Sequence, residues 1–224
     1  MNYLRKYISM PGFTQIIKKN DMGLKLTEFG LIKLQRAEEY EAFNGEHETV
    51  LVVLSGHCLL QGEGFCFQQV GDRKDVFSGK PHAVYIPLRN KYKIKALSDL
   101  EIAWTETPSR LAAKPCHIRP AEVKSVAIGK NNFGREAQMI IDESFNSSHF
   151  IIGEAQVPSG NWASYPPHRH DFDRLPEEVN MEEIYFFRFN PEQGFGIQKI
   201  YTDSRSIDET YTIRNNDTVG IPEG

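Results

Sequence analysis

Several things are scarce in this 224-residue chain, and each scarcity excludes something. Only three cysteines occur, Cys58, Cys66 and Cys116, and none forms a Cys-x-x-Cys pair. An odd number without that spacing argues against a disulfide framework or a zinc ribbon, and fits reduced thiols in a cytoplasmic protein. No apolar run approaches the roughly 18 residues of a membrane span. The N-terminal MNYLRKYISMPGF lacks the long apolar stretch of a signal peptide. A basic excess is missing too: the net charge is -4 and the pI about 6.0, so nucleic acid is not the expected partner. No Gly-x-Gly-x-x-Gly fingerprint is present, so a nicotinamide cofactor is not expected. Amphipathic helix periodicity is weak throughout.

What is present is a succession of short β-type runs separated by turn residues. VLVVLSG (50–56) reads as a buried strand, and HCLLQGEGFCFQQV (57–70) as two strands around a Gly-x-Gly turn. HAVYIP (82–87), YKIKAL (92–97) and EIAWTET (101–107) follow. The stretch 26–43 is the least β-like, although its LIKLQRA portion alternates. After TPSRLAAKPCHIRP (107–120), a linker candidate with three prolines, the pattern restarts. It continues through HFIIGEAQVPSG (149–160), EIYFFRF (183–189), GFGIQKIYTD (194–203), ETYTIRNND (209–217) and TVGIP (218–222). Many short strands at regular spacing predict an all-β sandwich or barrel. PHAVYIP (81–87) and NDTVGIP (216–222) also space their turns alike, a weak internal similarity of the kind tandem barrels leave.

Two of the seven histidines stand one residue apart in GNWASYPPHRHD (160–171). At i and i+2 of a strand, His168 and His170 would share one face. Two imidazoles side by side can hold one metal ion, and imidazole suits Zn, Fe, Mn or Ni. In EIYFFRF, Glu183 opens a face shared with Tyr185, Phe187 and Phe189. A carboxylate on an aromatic face is costly unless paired or bound to a metal. His168, His170 and Glu183 are therefore the candidate metal ligands. Pro166 and Pro167 stiffen the approach to His168.

His-x-His followed by a glutamate and then six residues to the turn at Asn190 resembles the first cupin motif, and NDTVGIPEG resembles the second. GNWASYPPHRHD and EEIYFFRFNPEQGFGIQKIYTDSRSIDETYTIRNNDTVGIPEG (182–224) are similar to the 5-deoxy-glucuronate isomerases of myo-inositol breakdown, and KPHAVYIP also fits. The resemblance implies two tandem cupin (double-stranded β-helix, jelly-roll) barrels. The N-terminal one, 1–110, would lack a metal site, and the C-terminal one, 111–224, would carry it. It further implies an aldose–ketose isomerisation of 5-deoxy-glucuronate to 2-deoxy-5-keto-gluconate, with a divalent metal, Zn or Mn, as Lewis acid stabilising an enediolate.

Three departures from the family pattern stand out. Twelve residues separate His170 from Glu183, and they offer Asp171, Asp173, Glu177, Glu178 and Glu182 as rival ligands. The N-terminal half holds Thr49 and Tyr92 at ligand positions, with His47 and Glu48 read as a solvated turn. The chain stops at Gly224, just before the histidine that would be the fourth ligand, so the second barrel is expected to be truncated. The acid/base group is left among Tyr165, Asp171, Tyr185, Asp203, Glu209 and Tyr211, the three tyrosines being preferred. Lys199, Arg205 and Arg214 are the candidates for the substrate carboxylate, ahead of Arg169 and Arg188. His57, His82, His117 and His149 are given structural roles. The expected partner is a small sugar acid, with neither nucleic acid nor membrane, and homo-oligomerisation is left open. A related 5-keto-4-deoxyuronate isomerase, a metal-dependent dioxygenase and a non-catalytic sugar-binding cupin are the rival readings.

Overall fold

The computed structural model describes residues 1–224, and its regular elements are strands apart from one short 3-10 turn at Asn131–Phe133. The all-β expectation is met. No helix is long and apolar enough to cross a membrane. The first ten strands are β1 (Leu4–Lys6), β2 (Gly12–Ile17), β3 (Glu28–Leu34), β4 (Glu39–Phe43), β5 (His47–Ser55), β6 (Cys58–Gly62), β7 (Phe65–Val70), β8 (Ala83–Ile86), β9 (Lys91–Ala96) and β10 (Leu100–Pro108). Then come β11 (Cys116–Ile118), β12 (Lys124–Ile128), β13 (Arg135–Ile141), β14 (Ile152–Gln156), β15 (Glu183–Phe186), β16 (Phe195–Tyr201), β17 (Asp208–Arg214) and β18 (Asp217–Ile221). The least β-like stretch thus forms β3 and β4. The strand expected at 183–189 stops at Phe186.

The chain divides into two compact units that are not consecutive halves. One comprises Met1–Ser9, Gln15–Phe29 and Pro166–Gly224; the other comprises Met10–Thr14 and Gly30–Tyr165. The boundary anticipated at 110/111 falls inside the larger unit.

The larger unit holds the sheets ordered β4-β9-β6-β7 and β12-β13-β14 and most of the sheet β11-β8-β5-β10-β3-β2, of which residues 15–17 and 28–29 belong to the smaller unit. Strand β9 shows how sequence sets a face. Tyr92, Ile94 and Ala96 point inward and are buried, while Lys91, Lys93 and Lys95 point outward. Lys93 meets Glu39 at 2.6 Å and Glu41 at 3.3 Å on the neighbouring β4. Strand β5 is buried on both faces, as its unbroken VLVVL requires. The core joins Ile32, Leu51, Leu60, Ile86, Ile94 and Trp104 with their neighbours. Tyr92 accepts a hydrogen bond from the Trp104 indole at 3.2 Å inside it.

One expectation in this unit needs correction. Glu48 is not on a solvated turn: it lies in β5 and is fully buried. Its carboxylate accepts the Tyr85 hydroxyl at 2.7 Å and the Ser148 and His149 amides at 2.9 Å each. A buried charge is tolerable only with such partners. His82 and His117, given structural roles, are joined to each other. Their Nδ1 and Nε2 atoms lie 2.9 Å apart, one donating and the other accepting. Burial first, then His82 and Arg119, push the His117 pKa down to about 4 against the opposing pull of Glu122.

In the smaller unit β18 pairs with β1 on one side and β15 on the other, and β16 with β17 forms a hairpin. Glu183 is opposite Ile221 and Tyr185 opposite Val219. On the other face of β15, Phe186 packs on Phe29 with ring centroids 5.6 Å apart. Gly220 on that face leaves room for its neighbours: a Cβ there would meet the Met22 sulfur at 2.9 Å and Leu24 Cδ1 at 3.0 Å, and both side chains would have to shift.

Candidate metal centre

The site is assembled from two pieces of the smaller unit. Glu183 is the first residue of β15, so the pleat turns its carboxylate to the face of Tyr185 and away from Phe186. The histidines come from an extended segment outside any strand, a departure from the expected strand pair. They still meet: the two rings lie edge to face with centroids 5.0 Å apart. His170 Nε2 is 3.1 Å from Glu183 Oε1. One ligand atom from each of His168, His170 and Glu183 lies within 4.8 Å of the others.

The donor set fits a divalent cation. His168 Nδ1 lies 3.4 Å from the Pro166 carbonyl, and donation there leaves the lone pair on Nε2. Two lone-pair atoms 3.1 Å apart, as at His170 and Glu183, need a proton or a cation between them. Two imidazoles and one carboxylate form a donor set that zinc uses in catalytic sites, where a further coordination position stays open for water or substrate.

Local hydrogen bonding engages most of the neighbouring acidic residues elsewhere. Glu182, one residue before Glu183, faces the other way and accepts the amides of Lys25, Leu26 and Thr27 at 2.6, 2.9 and 2.5 Å. Asp171 accepts the Gly224 amide at 2.6 Å, and Asp173 accepts that of Asn180 at 3.0 Å. Glu178 accepts the Asp171 amide at 2.8 Å and Arg169 Nε at 3.1 Å. Burial raises its pKa, but the Asp171 amide and Arg169 outweigh that, and the net shift is downward. Glu177 is exposed. The twelve-residue excursion is closed by a bridge between Arg174 and Glu178 and returns through Met181, whose amide donates to the His170 carbonyl at 2.9 Å.

The other candidates are scattered. Tyr185 shares the Glu183 face and stacks on Phe187 at 6.1 Å. Tyr211 lies on the half-buried face of the β16–β17 hairpin with Gln198 and Glu209, and its hydroxyl accepts the Tyr3 amide at 3.1 Å. Tyr165 belongs to the larger unit and packs on Phe133. Lys199 and Arg214 stand on the opposite, exposed face of the hairpin, Lys199 paired with Asp208 at 2.5 Å. Arg205 sits in the hairpin turn, over the Tyr201 ring at 4.3 Å and 3.2 Å from Asp208. Tyr3 went unnoticed in the sequence. Burial first, then Tyr211, Glu223 and Glu209, raise its pKa. No periodic signal marks it, because its partners are some 200 residues away.

Comparison with known proteins gives this geometry a context. The profile of the KduI/IolB family matches residues 5–224. The chain belongs to the KduI/IolB family. A 5-deoxy-glucuronate isomerase from Geobacillus kaustophilus is 34% identical over 93% of this chain and 76% of its own. The crystal structure of an IolB-like protein from Salmonella typhimurium LT2 matches with a TM-score of 0.95 at 30% identity, over 100% of this chain and 86% of that one. Oxalate decarboxylase from Lactobacillus farciminis shares the fold alone, with a TM-score of 0.66 at 10% identity over 99% of this chain and 80% of its own. Within this KduI/IolB chain, His168, His170 and Glu183 are the residues that could hold a metal.

Proposed function

We propose that this chain is a metal-dependent aldose–ketose isomerase that converts 5-deoxy-glucuronate to 2-deoxy-5-keto-gluconate in inositol breakdown. The convergence of His168, His170 and Glu183 carries the reading, because an isomerase of this kind needs an electrophile but no redox cofactor. The relatives named 5-deoxy-glucuronate isomerase support the substrate. His168, His170 and Glu183 would hold Zn or Mn, supplying Lewis acidity toward a vicinal carbonyl–hydroxyl pair.

The rest of the reading concerns the chain's own groups. The Tyr211 hydroxyl accepts the Tyr3 amide, which leaves its own proton to donate, and so favours it as the group that moves a proton between adjacent carbons. Tyr185 is the second candidate, on the Glu183 face. Among the cations Arg205 is preferred for the substrate carboxylate. Arg169, which lies between the histidines, is held by two carboxylates, Glu178 and Asp203, where Arg205 meets Asp208 alone, and Lys199 and Arg214 face outward. The larger unit, filled by its apolar core, is read as a cupin barrel without a metal, and the smaller as the metal-bearing one. A cytoplasmic location accords with the cysteine usage.

Proton NMR of the protein incubated in D2O with 5-deoxy-glucuronate tests the proposal, with 5-keto-4-deoxyuronate in parallel. Ketose formation that a chelator abolishes and Zn or Mn restores is expected. Deuterium entering the product at the former aldehyde carbon would indicate proton transfer through an enediol. No turnover with any divalent metal would overturn the reading, and preference for the second substrate would redirect it within the family.

A further inference from the structure

The His168–His170 segment has no strand partner, so its backbone needs another source of order. Glu178 supplies it. Its side chain is only 9% exposed, and a carboxylate so enclosed must be matched by donors. The donors are Arg169 Nε at 3.1 Å, the Asp171 amide at 2.8 Å and the Phe172 amide at 3.2 Å. They lie on both sides of His170. All three reach Oε1, and Arg169 Nε also lies 3.3 Å from Oε2. Glu178 is itself held by two backbone hydrogen bonds with Arg174, at 2.9 and 3.2 Å. The excursion between the histidines and Glu183 therefore folds back and grips the segment that carries the ligands.

We propose that Glu178 is a positioning residue that sets the orientation of His168 and His170 for the metal. This rests on the metal reading above. Glu178 touches no ligand side chain and acts through the backbone of residues 169–172. It explains what the long excursion does: it takes over the role that a neighbouring strand would otherwise play.

The test uses Co2+ alone as a probe, bound to the full chain and followed by calorimetry and by its visible spectrum. Wild type, Glu178→Ala, Glu178→Gln and Glu183→Gln are compared, each with its metal-free melting midpoint. Loss of an outer partner of a ligand costs about 10–100-fold in metal affinity, so Glu178→Ala should bind roughly 100-fold more weakly, with changed d–d bands. Glu178→Gln keeps an oxygen for the two amides but loses the charge facing Arg169. It should weaken binding about tenfold, the low end of the same range, with an unchanged metal-free midpoint. If Glu178→Ala does not fold, Glu178→Gln decides. Binding by Glu178→Gln within about twofold of wild type, with the wild-type spectrum, overturns the inference alone. A wild type that binds no Co2+, or binds it equally well as Glu183→Gln, overturns the metal reading and the inference together.

Discussion

Adjacent glutamates should fail in opposite ways. Glu182 accepts three backbone amides from Lys25, Leu26 and Thr27, whereas Glu183 meets His170. In Glu182→Ala all three amides lose a charged acceptor. Bonds to charged groups are worth about 1.5–3 kcal/mol each, and water replaces part of that at these exposed and half-buried positions, leaving about 1 kcal/mol each and about 3 kcal/mol in all. At about 2–4 °C per kcal/mol for a chain of this size, the melting midpoint should fall by roughly 6–12 °C. Glu183→Gln removes no such bonds and should stay within about 0.5 kcal/mol, or roughly 2 °C. Metal affinity should reverse the order: little changed in Glu182→Ala and strongly reduced in Glu183→Gln. Differential scanning calorimetry of the metal-free variants, followed by metal titration, measures both. A Glu182→Ala variant with the wild-type midpoint and no metal binding would refute the assignment and make Glu182 the ligand.

Two further outcomes follow from the larger unit. The depressed pKa of His117, about 4, lies below the value near 6.5 of an unfolded imidazole, so between these values the unfolded chain binds a proton that the folded chain refuses. Stability should thus be full above about pH 6.5, fall as the pH drops toward 4 and level off below. His117→Gln should flatten that fall in urea midpoints taken at pH 4.5 and 7.5, and an unchanged pH slope would count against it. Glu48→Leu strands the Tyr85 hydroxyl and two amides. At about 1–3 kcal/mol for each unsatisfied donor it should cost at least about 3 kcal/mol in urea unfolding, and a loss below 1 kcal/mol would refute the buried role.

The β-runs, the Gly-x-Gly turn between β6 and β7 and the three residues that converge at the candidate site were all legible in the sequence. Alternation and turn residues are local, and a His-x-His pair with a glutamate on an aromatic face has few uses. The same local logic misread Glu48. Its position between a turn and a strand resembles a solvated corner, and only the returning segment at Ser148 and His149 encloses it. It missed the His82–His117 pair, whose partners are 35 residues apart, and Tyr3, whose contacts lie near residue 211.

The sequence by itself determined that the chain is all-β and that His168, His170 and Glu183 are its candidate metal ligands, because residue type and spacing suffice for both. Only tertiary structure shows what the five acidic rivals of Glu183 do instead. Glu182, Glu178, Asp173 and Asp171 accept backbone amides brought from residues 25–27, 171–172, 180 and 224, and Glu177 is exposed; such meetings depend on where the chain returns, which the local pattern does not record. Tertiary structure also turned Lys199 and Arg214 to the outside of their hairpin, since the inward face depends on which side of a two-residue alternation the rest of the chain covers.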